Sequence, residues 1–240
     1  MRTAGALDTQ AFIERGFCLL REAVPRRLAE RIRDQASTWE MPPGASGWVL
    51  HQRTYYDVPA LAEVITDQVR AAFDELVGAR RWHVAGNWGF PTRLPGPLEA
   101  KWHIDGDWFT HHLWSGDQVL TPIFLWSDVG ADDGPTLLAA RSHREVSRLL
   151  AEHEPQGIRG DEIASAVHER ISADEVVGAV GSAGDVYLCH PHLAHSINPS
   201  GARDPRYISN VAVHGFDALR LDGTASDATP VEAAVIAALE

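Results

Sequence analysis

The run Lys101-Trp102-His103-Ile104-Asp105-Gly106-Asp107-Trp108 contains a His-x-Asp pair, His103 and Asp105. Along an extended chain, side chains two residues apart point the same way. An imidazole nitrogen and a carboxylate oxygen would then converge on one point. That is two thirds of a two-His-one-carboxylate metal site, which holds one face of an ion and leaves the other open for chemistry. Asp107 shares the same parity and is a rival ligand. A third ligand has to come from elsewhere in the chain, and His195 is the candidate. Arg206 follows it by eleven residues on what reads as a returning strand. A hairpin of that size can bring the guanidinium into the cavity of the histidine, and a buried planar cation pairs well with a carboxylate. One cavity could hold a metal and a dicarboxylate anchored at both ends.

The elements that must position these residues follow from hydrophobic periodicity and turn signals. A helix over 8–16 is capped by Asp8 and ended by Gly16, and an apolar strand follows at 17–20. A second helix begins after Val24-Pro25, over 26–39, and a third runs over 60–77 with Leu61, Val64, Ile65, Val69, Phe73 and Leu76 as its apolar stripe. Strands are expected at 48–51 and 82–90, around His103, at 120–127, at 136–139, at 176–180, from Val186 to His190, and from Arg206 to His214. The prolines of 91–98 mark a loop. The charged stretch 144–172 reads as a partly helical surface excursion. Thr229, Pro230 and Glu232 form the start signature of a terminal helix. Helices first, then about eight short strands separated by Gly/Pro turns, indicate a single domain over 1–240 of mainly β structure, a sandwich or barrel.

Composition narrows the function classes. The 240 residues carry a net charge of −12 with no basic run, which argues against nucleic acid or an anionic membrane as partner. Two cysteines, Cys18 and Cys189, far apart in sequence, form no disulfide framework or paired-Cys zinc motif and suit a reducing cytoplasm. The opening residues hold no apolar leader-like run, and no apolar run reaches the roughly 18 residues of a membrane span.

Several motifs, in order and at characteristic spacing, carry a resemblance. They are Gly16-Phe17-Cys18-Leu19-Leu20-Arg21; Trp102-His103-Ile104-Asp105; Leu125-Trp126-Ser127-Asp128-Val129 through Asp133-Gly134-Pro135-Thr136 to Arg141-Ser142-His143; Gly184-Asp185-Val186; and His190-Pro191 through His195 to Arg206. The chain resembles the phytanoyl-CoA dioxygenase-like family of iron(II)/2-oxoglutarate-dependent oxygenases over residues 7–215. The resemblance implies a double-stranded β-helix (jelly roll) with helices packed on one side. It implies iron(II) on the catalytic ligands His103, Asp105 and His195. It implies Arg206 on the distal carboxylate of 2-oxoglutarate, with O2 as second co-substrate. The implied reaction is hydroxylation of an unactivated C–H of a small metabolite with release of succinate and CO2; desaturation, cyclisation and epimerisation share its first steps. Where the family often has a hydroxyl residue two places after the distal histidine, this chain has Ile197, and the adjacent Ser196 is the candidate co-substrate contact. Arg203 competes with Arg206. In related halogenases the acidic position is a small residue, so Asp105 argues against halogenation. Candidate substrate contacts are His51, Arg53, Tyr55, Asn87, Trp108 and His111. His143, His190 and His192 read as structural. A metal-dependent hydrolase or isomerase using no 2-oxoglutarate, and a non-catalytic binding protein on the same scaffold, remain open from the residues alone, because fold does not fix function.

Overall fold

The computed structural model describes residues 7–96, 98–99, 101–106, 108–168, 171, 175–200, 202–224 and 227–240. Asp107 and the opening residues, on which the leader reading rests, lie outside this set. The chain opens with α1 (Thr9–Arg15), β1 (Phe17–Leu20), α2 (Arg26–Ala36), β2 (Trp48–Thr54), a 3-10 turn at Pro59–Glu63, α3 (Asp67–Val77) and β3 (Trp82–Arg93). It continues with β4 (Thr110–His111), β5 (Thr121–Leu125), β6 (Leu137–Ala139), α4 (Ser142–Glu152), β7 (Ile158–Arg159), α5 (Gly160–His168) and β8 (Val176–Gly178). β9 (Val186–Cys189), β10 (His195–Ser196), β11 (Ile208–Gly215) and α6 (Pro230–Leu239) complete it.

All strand pairs are antiparallel. A six-stranded sheet has the order β1-β9-β5-β11-β3-β2, a three-stranded sheet the order β10-β6-β8, and β4 pairs with β7. Alternation along the central strands sorts the core into two. On β5, Phe124 joins Trp126 just beyond the strand, and on β9 Val186 joins Leu188, in a cluster with Phe12, Leu28, Ile32, Phe73 and Val235 of the helices. Ile123, Leu125, Tyr187, Cys189 and Ile208 turn the other way and meet Leu138 of the small sheet. β5 and β9 read as unbroken apolar runs because both faces are covered. The result is the expected jelly roll, with helices backing the large sheet and an interior between the two sheets. Cys18 and Cys189 fall in opposite clusters and are both free. Among the described residues, no helix is long and apolar enough to cross a membrane.

The local signals at the helix ends are realised. The Ala11 N–H donates to Asp8 at 2.9 Å, and Gly16 ends α1 at φ +85°. Thr229 and Glu232 form the capping box of α6. Four expectations need correction. The helix expected over 60–77 breaks before Asp67, because Thr66 caps α3 by accepting the Val69 N–H at 3.2 Å while its own hydroxyl donates to Ala23 O at 2.8 Å. β3 runs through Pro91 to Arg93, since β2 supplies a continuous partner there that outweighs the proline signal. His103 lies in no long strand; it makes an isolated bridge to His195. The helices of the 144–172 stretch are no surface excursion: Val146, Leu149, Leu150, Ile163 and Val167 of α4 and α5 are buried in the helix-side core.

Candidate metal centre

His103 and His195 are direct register partners. The His103 N–H donates to His195 O at 3.1 Å, and the His195 N–H returns to His103 O at 2.9 Å. β10 is in turn held by β6, with His195 opposite Leu138. The two rings therefore stand side by side, centroids 4.4 Å apart. Each Nδ1–H donates to the carbonyl two residues back, His103 to Lys101 at 3.0 Å and His195 to Leu193 at 3.1 Å. With Nδ1 so committed, Nε2 is the nitrogen of each ring that could bind a metal. Asp105 Oδ1 lies 3.5 Å from His195 Nε2 and 4.0 Å from His103 Nε2. All three ligand atoms fall within 4.8 Å of one another. Adjacent ligands on an octahedral ion with bonds of about 2.1 Å are about 3 Å apart, so Asp105 needs to close on each imidazole by no more than about an ångström.

Asp105 reaches across to the large sheet, where Asn210 of β11 donates to its Oδ2 at 2.9 Å. The triad therefore sits where the two sheets face each other. Burial works against the Asp105 charge, but the His195 imidazole, then His103 and the Asn210 hydrogen bond, outweigh it and hold the carboxyl at about 2. Burial likewise works against the imidazolium of His195, and Asp105 outweighs it and raises the pKa. The side chain of His103 is 41 % exposed against 10 % for His195, so the site opens on the His103 side. The turn that carries Asp105 is braced by His111, whose Nε2–H donates to Gly106 O at 2.8 Å.

On β11, Asn210 shares its face with Ile208, and by the same alternation Arg206 precedes them on that face, about 13 Å from Asn210 along the strand. Arg206 is buried. Its Nη1 donates to Thr136 Oγ1 at 2.8 Å, while its Nε has no hydrogen-bond partner. Among the described residues no carboxylate pairs with it, and another arginine, Arg93, adjoins it through a mutual backbone bridge of 3.1 and 2.9 Å and adds like charge. Burial, with Arg93 beside it, pushes Arg206 down to about 9. Arg93 is also buried and spends its own fork on backbone carbonyls, including Gly47, Leu94, Gly96 and Ser200. A buried cation without a counter-charge is costly, and a bound carboxylate would relieve it. The rival Arg203 lies 78 % exposed at the surface, 3.6 Å from Asp132.

Other expected residues fall differently. His51 and Arg53 project from β2 away from the site, because Gln52 between them faces Gly89 and Asn210. Both pack on Trp39, Arg53 at 4.6 Å from the ring centroid and His51 at 5.2 Å. His111 is buried, and its Nε2–H is spent on Gly106, beside Asp105. Ser196 follows His195 in the strand and so turns to the opposite side, where its hydroxyl donates to Ile197 O at 3.3 Å. Asn87 donates to Gln52 at 3.0 Å on the Gly89 side of β3. Tyr55 packs against Tyr56 with the rings tilted in an exposed turn, and Trp108 is exposed beside Phe109. Asp107 lies outside the described residues. His143, His190 and His192 form a buried row that ties the chain before His195 to the helices: His143 bonds Ile13 O at 3.2 Å, His190 bonds Val231 O at 3.3 Å, and His192 bonds Ser147 at 2.9 Å. Sequence reasoning passed over Asn210 and Thr136 as partners in the site. Asn210 was reachable, since it stands four residues after Arg206 and so on the same strand face.

No protein-family model and no curated protein matches this sequence. Solved structures do match its fold. The chain is similar to HygX from Streptomyces hygroscopicus, solved with nickel and 2-oxoglutarate bound, at 16 % identity and a TM-score of 0.58, covering 90 % of each chain. It is similar to SnoK, a non-haem α-ketoglutarate-dependent carbocyclase from nogalamycin biosynthesis, at 16 % identity and 0.66, over 88 % of this chain and 84 % of that one. It is similar to EvdO2 from Micromonospora carbonacea var. aurantiaca, solved with 2-oxoglutarate, at 15 % identity and 0.62, over 93 % and 96 %. These likenesses establish the jelly-roll fold.

Proposed function

We propose that this protein is a non-haem iron(II)/2-oxoglutarate-dependent oxygenase of the phytanoyl-CoA dioxygenase-like type, a single domain acting on a small metabolite in the reducing cytoplasm. One observation carries the reading. A His-Asp-His group with converging ligand atoms shares the interior with a buried arginine that, among the described residues, has no carboxylate partner and an unsatisfied Nε. A metal-chelating dicarboxylate fits both needs at once. A hydrolase or isomerase would use the triad but leave Arg206 without a purpose.

The residues present fit the group. His103 Nε2, His195 Nε2 and Asp105 Oδ1 would hold iron(II), and Arg206, oriented by Thr136, would hold the far carboxylate of 2-oxoglutarate. When bound, iron(II) with 2-oxoglutarate and O2 supplies an oxidant strong enough to take hydrogen from an unactivated C–H, with succinate and CO2 released. The chain does the rest. The Lys101 and Leu193 carbonyls fix the tautomer of each histidine. Ile123, Leu138, Tyr187 and Ile208 keep the interior dry, which strengthens the Arg206 pairing. The exposed side of His103 is where substrate would approach, and we assign Gln52 and Asn87, on the Asn210 side of the large sheet, and Trp108 as its contacts. Hydroxylation is the outcome we assign.

Anaerobic titration of the metal-free protein with iron(II) and then 2-oxoglutarate tests this. A weak visible charge-transfer band near about 500 nm is expected, and His195→Ala should lose it. Iron binding without a band refutes the 2-oxoglutarate assignment. Absence of metal binding refutes the centre.

A further inference from the structure

Asn210 and Gly89 are cross-strand partners on β11 and β3. Asn210 Nδ2 donates to Asp105 Oδ2 at 2.9 Å, and Oδ1 is the Asp105 oxygen that lies within 4.0 Å of both imidazoles. A carboxylate with both oxygens unengaged can chelate a metal through the pair and take two of its positions. One with an oxygen held by an amide donor offers the other oxygen alone. We propose that Asn210 is a positioning residue that commits Asp105 to single-oxygen ligation, so that three ligand atoms occupy three positions and the opposite face stays open. This rests on the metal centre proposed above.

Gly89 makes the arrangement possible. A Cβ at Gly89 would stand 2.5 Å from Asn210 Oδ1, closer than side chains tolerate, while its other neighbours there begin at 3.6 Å. Gly89 is not among the residues with positive φ, so its backbone does not itself require glycine. The atom an added methyl strikes is the movable end of the Asn210 side chain. Gly89→Ala should therefore swing the amide off Asp105 without touching any ligand, acting from a different strand. Thus the glycine on β3 and the asparagine on β11 work as one device.

Cobalt(II) titration of the metal-free protein reads this directly, through the dissociation constant and the visible d–d spectrum. Asn210→Leu keeps the size of the side chain but removes the donor. It and Gly89→Ala are each expected to weaken cobalt binding by about 10- to 100-fold and to alter the spectrum. The double variant should bind no more weakly than Asn210→Leu alone, because Gly89→Ala acts only through the Asn210 amide. Far-UV circular dichroism of the metal-free variants confirms that they are folded. Wild-type affinity and spectrum in Gly89→Ala or in Asn210→Leu, or fully additive losses in the double variant, overturn the inference while leaving the metal centre intact. No cobalt binding by the wild type overturns both.

Discussion

Replacing Arg206 by methionine should make the co-substrate-free protein more stable while removing its response to 2-oxoglutarate. A guanidinium pushed from 12.5 to about 9 by burial carries at most about 5 kcal/mol of uncompensated desolvation. The substitution removes that cost and loses the bond to Thr136, about 1 kcal/mol, together with some packing. A net gain of about 2 kcal/mol corresponds to roughly 4–8 °C for a chain of this size. Binding moves the other way. Truncating one side of a buried charge pair costs about 2–5 kcal/mol, or roughly 30- to 4000-fold in affinity. Thermal melts with nickel(II) as a redox-inert metal, with and without 2-oxoglutarate, separate the two effects. Co-substrate at about a hundred times its Kd should stabilise the wild type by about 2.7 kcal/mol and the variant by almost nothing. A variant that melts lower than wild type without 2-oxoglutarate, yet shifts equally with it, would show that Arg206 is satisfied inside the protein and holds no carboxylate.

Three stability predictions follow from groups outside the centre. Burial opposes the Glu232 charge, but Arg81 at 2.7 Å and the hydrogen bonds from Arg220 and Thr229 hold the carboxyl at about 2. Its folded pKa lies below the unfolded value, so its contribution is complete above about pH 4.5 and is lost as pH falls towards 2. Urea denaturation over that window should show a flatter pH dependence for Glu232→Gln. Burial depresses His143 to about 4 and His192 to about 3, and lowers His190 as well. These bases stay neutral in the fold and take up protons on unfolding, so stability is complete above about pH 6.5 and falls by up to about 2 kcal/mol per histidine by pH 5; His192→Asn should blunt that fall in the same experiment. Gly16→Ala places a Cβ 2.5 Å from His143 Nδ1 at φ +85°, and its melting temperature should drop by an amount equivalent to about 2 kcal/mol.

Much was legible in one dimension because its causes are local. The Asp8 and Thr229 caps, the Gly16 stop and the apolar runs of β5 and β9 depend on residues a few positions apart, and the structure holds them where their types indicate. The His103-x-Asp105 spacing likewise required only an extended backbone. Other features depended on partners distant in the chain. Whether Arg203 or Arg206 enters the interior turns on burial, and no short-range pattern encodes that. His51 and Arg53 differ from Gln52 only by the parity of β2, and which parity faces the interior is set by pairing with β3 and by Trp39 on the other side. That His111 braces the turn at Gly106 likewise depends on how the chain folds back after the ligand pair. The amino-acid types therefore determined which chemistry was possible and placed the elements whose signals are local, such as α1, α6, β5 and β9. Only the tertiary structure decided which side chains meet, because sheet register and burial are collective properties of strands far apart in the chain, and a one-residue change in parity sends a side chain to the other face.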